Sequence, residues 1–312
     1  MFGISAALTT PLEPGGGADV DHARLNRHIA ALTAAGCASV TLFGTTGEGP
    51  SFTPRARLET LGAVIAAGTA PDRLVLALHG TAVGDIVEQA QAALSLGVSR
   101  FLLPPPSYFA GPSDTGLGDW FAAILSRLAD SPARFILYHI PQVIGVALPV
   151  TLVATLKAAF PGAVFGVKDS SGDFANTRAL LGLEGLQILV GDERQLAAAA
   201  KLGAAGAISG MANLFPGRLA RMLTTGTDDK AICALVDTVL NYPVTPAIKT
   251  LVAHRHDDPA WRRCAPPLEA IPHPGRRILT AALDAAAEAR ARPDRQAQDA
   301  QNARSGAGRA GP

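Results

Sequence analysis

The stretch "GVKDSSGD" (166–173) sets Lys168 directly after the apolar run Val164, Phe165 and Val167. A cation at the end of a buried strand is costly unless something uses it. The chain has only five lysines, and the other four, Lys157, Lys201, Lys230 and Lys249, lie in stretches of helical periodicity. Burial disfavours a charged amine, and a neutral amine can attack a ketone to form a Schiff base. A phenol, Tyr138 in "YHIP" (138–141), ends another apolar run. The alternative for Lys168 is an ion pair with Asp169 or another carboxylate that only stabilises the rim. "GTTGEG" (44–49) flanks Thr45 and Thr46 with glycines. Its backbone N–H groups could form an anion-binding nest for a carboxylate or a phosphate; a plain turn accounts for the same residues. The stretch is too short for a P-loop and has no lysine. His79 and His139 are open between ligand, base and satisfied polar residue. "HRH" (254–256) has no third ligand at a suitable spacing and reads as surface, so neither metal nor cofactor is expected.

The elements that must position these groups alternate along the chain. Strand candidates are 3–8, 39–44, 73–80, 100–105, 134–140, 164–169, 186–192 and 204–210, all short and apolar. Ala/Leu-rich helical stretches separate them at 22–35, 54–68, 84–96, 114–129, 150–159, 173–183 and 192–202. Asp21 reads as the cap of the first helix, Thr53-Pro54 as cap and first residue of the second, and Pro149-Val150 as another start. Gly36, Gly97 and Gly203 follow helices as C′ glycines. Strands apolar on both faces suit a buried parallel sheet. Eight βα units predict an α/β fold, a (β/α)8 TIM barrel, over 1–225. A doubly wound open sheet would have fewer strands and a GxGxxG turn, which is absent. Helical stretches 216–225, 229–240, 244–254 and 275–292 predict the eighth barrel helix and a small C-terminal helical extension over 226–292. The polar, Gly/Ala/Arg-rich 293–312 reads as a disordered tail. Barrel chemistry sits at the C-terminal strand ends. There Tyr138 and Lys168 would occupy neighbouring strands about 4.8 Å apart.

Composition sets bounds on partners. Of 312 residues 48% are apolar, ample for one large core, and a net charge of +1 gives no electrostatic footprint for nucleic acid or an anionic membrane. No apolar run reaches the roughly 18–20 residues that span a bilayer, and "MFGISAALTTP" lacks a basic n-region. Cys37, Cys233 and Cys264 stand far apart with no CxxC pair, as reduced thiols of a cytoplasmic protein would.

Four stretches together, "GTTGE" (44–48), "YHIP" (138–141), "GVKDSSGD" (166–173) and "GAISGMANLFP" (206–216), resemble the dihydrodipicolinate synthase / N-acetylneuraminate lyase family in order and strand position. The resemblance runs from about residue 3 to about residue 285. It implies that Lys168 forms a Schiff base with pyruvate or a related 2-keto acid. Tyr138 would relay protons and Thr45 would link to that phenol. The N–H groups of Thr45 and Thr46, beside Gly47, would hold the keto-acid carboxylate, and Ile208 would place its carbonyl near the bound acid. His139 and Ser170, with Ser171 and Gln142, offer partners for substrate hydroxyls; capping of the next helix accounts equally well for the two serines. Two positions depart from the lysine-biosynthesis synthase. Its aldehyde-binding arginine is replaced by Val143, and its strand-4 Tyr-Tyr pair by "PPPSYFAGPSD", with Phe109 in the second place unless Tyr108 shifts into it. The expectation is therefore a class I aldolase or dehydratase of 2-keto-3-deoxy sugar acids, or a 4-hydroxy-2-oxo acid lyase, using pyruvate and an aldehyde. The alternatives are 4-hydroxy-tetrahydrodipicolinate synthase itself and a non-catalytic keto-acid sensor. A homo-oligomer, tetramer or dimer, is implied by the resemblance alone.

Overall fold

The computed structural model describes residues 2–15 and 17–289. Each apolar run forms a short strand: β1 Gly3–Ala7, β2 Ser39–Leu42, β3 Leu74–Ala77, β4 Arg100–Leu103, β5 Arg134–His139, β6 Val164–Asp169, β7 Gln187–Val190 and β8 Gly206–Ser209. All eight pair in parallel and in chain order, and β8 closes onto β1. The alternation of a strand then sorts side chains into two layers. Ala7, Val75, Ala77, Leu102, Ile136, Tyr138, Leu189 and Ile208 fill the inside of the barrel. The other face of each strand packs under the helices, with Phe101, Phe135, Leu137 and Val167 in that larger outer core.

The helices are α1 His22–Ala34, α2 Pro54–Ala66, α3 Val83–Ser95, α4 Asp114–Arg127, α5 Pro141–Ile144, α6 Val150–Ala159, α7 Phe174–Leu181, α8 Glu193–Lys201 and α9 Pro216–Thr225. Asp21 and Thr53 cap α1 and α2 through their side chains, as expected, and Asp173, Asp192 and Ser113 do the same for α7, α8 and α4. Gly36, Gly97 and Gly203 follow α1, α3 and α8 at positive φ, the conformation a C′ residue adopts. The single turn α5 was not anticipated: four residues are too few to show a helical period. Beyond α9 the chain forms α10 Lys230–Val239, α11 Val244–Arg255 and α12 His273–Glu288. Residues 290–292 of the expected extension and the tail 293–312 lie outside the described residues. Among the described residues no helix is long and apolar enough to cross a membrane.

Close strand pairing leaves one checkable mark beside the site. A Cβ at Gly166, two residues before Lys168, would collide with the backbone carbonyl of Gln187 on β7, whereas at Gly162 nothing lies within 4 Å. Gly166→Ala should therefore destabilise the fold by about 3 kcal/mol. Gly162→Ala should change it by no more than about 0.5 kcal/mol. Denaturant unfolding of the two variants checks the contrast, and equal midpoints would contradict it.

Candidate active site

Register brings the two expected groups together. Tyr138 on β5 pairs with Lys168 on β6, and both side chains turn into the barrel mouth. Lys168 is 5% exposed and its Nζ donates to the Tyr138 hydroxyl at 3.2 Å. The amine also lies 4.3 Å from the centre of the phenol ring. Tyr138 OH is in turn hydrogen-bonded to Thr45 Oγ1 at 3.2 Å. Among the described residues no carboxylate pairs with Lys168. Asp169, the neighbour that could have neutralised it, faces the helix layer. Its oxygens accept from Ser171 N–H at 3.0 Å, Asn176 Nδ2 at 2.8 Å and Thr177 Oγ1 at 2.9 Å. The rim ion pair is thereby excluded.

Thr45 belongs to a tight loop after β2. The Gly44 carbonyl accepts from the N–H groups of Gly47 at 3.0 Å and Gly49 at 3.2 Å, and the Thr45 carbonyl accepts from Glu48 N–H at 3.1 Å. Phe43 and Glu48 hold left-handed backbone at φ 60° and 58°. A side chain at Gly47 would press on the Leu8 carbonyl and the Phe43 backbone, so only glycine fits there. Among the described residues nothing accepts the N–H groups of Thr45 or Thr46; Thr46 is buried, and Thr45 lies at the boundary of the mouth. Two free N–H donors side by side can accommodate an anion.

Buried polar groups clamp this loop from behind. The Arg57 guanidinium donates to the carbonyls of Gly49 (3.0 Å) and Phe52 (2.6 Å) and to Gln89 Oε1 (2.5 Å). Burial lowers its pKa to about 10. His79 Nε2–H donates to the Phe43 carbonyl at 2.6 Å, and burial pushes this imidazole down to about 4. His79 is thus a loop fastener rather than a base at the amine. On the opposite side Glu48 forms an ion pair with Lys249 of α11, and both side chains are 0% exposed. Reading Lys249 as an ordinary helical lysine missed this pair. The signal was present, since residues 245–253 of α11 are buried all round, and a helix without a polar face is a buried one.

The remaining candidates fall in several places. Ile208 is buried inside β8, opposite Ser5 of β1. Ser170 continues β6 past Lys168, donating its N–H to the His139 carbonyl at 2.8 Å and accepting from Gln142 Nε2 at 2.6 Å. His139 is not brought to the amine. Alternation turns its ring to the far side of β5 from Tyr138, where Nδ1 accepts the Leu148 N–H at 3.0 Å. Burial lowers its pKa, against the partial opposition of Asp169 and Asp173. Val143 on α5 is 59% exposed, and Tyr108 and Phe109, edge to face at 5.3 Å, are 82% and 64% exposed.

The closed parallel barrel of eight strands with helices outside it defines the (β/α)8 class. Its sequence then makes the assignment finer: residues 1–283 match the profile of the Dihydrodipicolinate synthetase family, and the chain belongs to that family of lyases. It is 35% identical over 266 residues to an uncharacterized DapA-like lyase of Chloroflexus aurantiacus, covering 82% of this chain and 88% of the relative. It is 31% identical over 218 residues to the 4-hydroxy-tetrahydrodipicolinate synthase of Sorangium cellulosum, covering 69% and 70%. The crystal structure of dihydrodipicolinate synthase from Agrobacterium tumefaciens superimposes with a TM-score of 0.88 at 45% identity, over 91% of this chain and 99% of that one.

The floor of the site carries its own pH dependence. Asn213 donates to the carbonyls of Ala7 (2.7 Å) and Gly210 (2.9 Å), and its Oδ1 accepts from Thr9 N–H (3.3 Å) and His28 Nε2–H (3.1 Å). Burial lowers the His28 pKa to about 4, partly opposed by the Asn213 bond and assisted by His256. An unfolded imidazole titrates near 6.5. Stability carried by the neutral ring is therefore full above about pH 6.5 and is lost as pH falls toward about 4. The loss attributable to His28 by pH 5 should be about 2 kcal/mol relative to pH 8, and His28→Leu should remove that share. Chemical unfolding at both pH values measures it; an identical pH slope in parent and variant would contradict it.

Proposed function

We propose that the protein is a Schiff-base-forming lyase acting on pyruvate or a 2-keto acid, as a 2-keto-3-deoxy sugar-acid aldolase or dehydratase, or as a 4-hydroxy-2-oxo acid lyase. The observation that carries this reading is the buried Lys168 amine, with no carboxylate partner among the described residues, held 3.2 Å from the Tyr138 hydroxyl. Nζ adds to the keto carbon C2, and loss of water from the carbinolamine gives an iminium. In the cleavage direction a base takes the proton of the C4 hydroxyl, the C3–C4 bond breaks, and its electron pair is stored in an enamine while the aldehyde leaves. Protonation at C3 and hydrolysis return pyruvate and the free amine. The Tyr138 phenol, in contact with both Lys168 Nζ and Thr45 Oγ1, is the group placed to carry these protons. The unpaired N–H groups of Thr45 and Thr46 suit the substrate carboxylate, which they would fix before the chemistry starts.

Val143 supports a hydroxylated rather than an acidic second substrate. It is apolar and exposed where the resemblance calls for an arginine, and a valine does not hold a carboxylate. The named relatives favour a second reading, 4-hydroxy-tetrahydrodipicolinate synthase, because two of them carry that activity in their descriptions. Resemblance supports a homo-oligomer as the working form.

A panel of 2-keto-3-deoxy acids, with both pyruvate release and loss of the keto acid monitored, separates these readings. Consumption of at least one sugar acid, with or without pyruvate release, and no condensation of pyruvate and aspartate semialdehyde, is the expected result. The reverse pattern selects the synthase, and no turnover of any keto acid selects a non-catalytic sensor. On the substrate identified, Lys168→Ala should abolish turnover with the barrel's circular dichroism intact. Tyr138→Phe should slow it by about 10²-fold or more; equal rates for Tyr138→Phe and the parent would contradict the relay role.

A further inference from the structure

The loop that holds Thr45 and Thr46 is fastened by one face of α11. Thr245 Oγ1 donates to the Thr45 carbonyl at 3.0 Å. Four residues on, on the same face, Lys249 is ion-paired with Glu48 and donates to the Thr10 carbonyl at 2.9 Å. The second Glu48 oxygen accepts the Ala265 N–H at 2.6 Å. Glu48 thus meets the ammonium of one segment and the backbone of another. Its own left-handed backbone, unfavourable for a residue with a Cβ, is held in place from outside the loop.

The Thr45 carbonyl accepts two hydrogen bonds, from Glu48 N–H at 3.1 Å and from Thr245. Its lone pairs are then both used. A trans peptide unit is planar, so the carbonyl of Thr45 and the N–H of Thr46 are one rigid body pointing in opposite directions. Pinning the carbonyl toward α11 aims the Thr46 N–H away from α11, where no acceptor meets it among the described residues. Thr45 also carries the hydroxyl that touches Tyr138 OH at 3.2 Å.

We propose that Thr245 and the Lys249–Glu48 ion pair are positioning residues of the reaction, setting the orientation of the Thr45–Thr46 peptide and of the Thr45 hydroxyl. The C-terminal helices are then part of the site and not only packing on the barrel. The proposal rests on the Schiff-base reading above. It also limits which keto acids bind well, because the carboxylate must reach a donor whose direction α11 fixes.

The partial reaction that reads this orientation needs pyruvate alone. Iminium formation with Lys168 releases water; loss of a C3 proton gives the enamine, and reprotonation from D2O followed by hydrolysis returns deuterated pyruvate. Exchange of the pyruvate methyl protons, followed by NMR, measures its rate. Thr245→Val, nearly isosteric, should exchange about tenfold more slowly than the parent, the size of one lost hydrogen bond, with a thermal midpoint within about 4 °C of the parent's and the protein fully folded at the assay temperature. Thr245→Ser, which restores the donor, should return to within about twofold of the parent. A double variant, Glu48→Gln with Lys249→Met, removes both charges together and so leaves no unpaired buried ion; it should fold and be slowed to a similar degree. A parent that exchanges no faster than buffer overturns the Schiff-base reading, and this proposal with it. A parent that exchanges, beside a folded Thr245→Val within about twofold of it, overturns the positioning role alone. So does a Thr245→Ser as slow as Thr245→Val, or a loss of rate matched by a loss of folded protein.

Discussion

An amine taken out of water without a counter-ion is the constraint on which the site depends. Two lysines are buried, Lys168 in the barrel at 5% exposure and Lys249 on α11 at 0%. Lys249 meets the Glu48 carboxylate and the Thr10 carbonyl, the arrangement that makes a buried cation tolerable. Lys168 meets a phenol instead. The same side chain therefore has two uses within one fold. Where the cation is paired it fastens structure, and where it is not, the amine meets the requirement of the proposed Schiff-base role.

The barrel produces that difference through alternation. Because side chains along a strand point alternately inward and outward, Lys168 and Asp169 are neighbours in sequence and strangers in space. Asp169 goes to the helix layer and is consumed by Ser171, Asn176 and Thr177. Tyr138, 30 residues away in the chain, is delivered to the amine by the β5–β6 register. Rigid support follows from below and behind. Asn213 ties the ends of β1 and β8, Arg57 and His79 hold the back of the threonine loop, and α11 holds its far side.

Much of this was legible in the sequence because it depends on period and punctuation. The eight apolar runs, the caps at Asp21 and Thr53 and the glycines after α1, α3 and α8 are local signals, and the parallel register follows once a barrel is accepted. The isolation of Lys168 after an apolar run was enough to single it out, and Tyr138 and Thr45 join it in the structure. What stayed hidden was of two kinds. The turn α5 is shorter than any period, so the local frame of Val143 was not visible. Direction was the second loss: His139 follows Tyr138 immediately, yet one step along a strand reverses the face, and its ring receives the Leu148 N–H. Lys249 was missed for a related reason. Its helix looked ordinary by periodicity, although its surroundings, Ala247, Ile248, Leu251 and Val252, are all buried, and a lysine among them needs a partner that sequence spacing could not name. That partner, Glu48, lies 201 residues earlier.

The proposed reaction requires Lys168, and not the other buried lysine, as its nucleophile. Incubation with pyruvate and sodium borohydride, followed by proteolysis and peptide mass measurement, tests it most directly. The peptide containing Lys168 should gain the mass of a reduced pyruvyl adduct while the peptide containing Lys249 should not. An unmodified Lys168, or an adduct confined to another lysine, would contradict it.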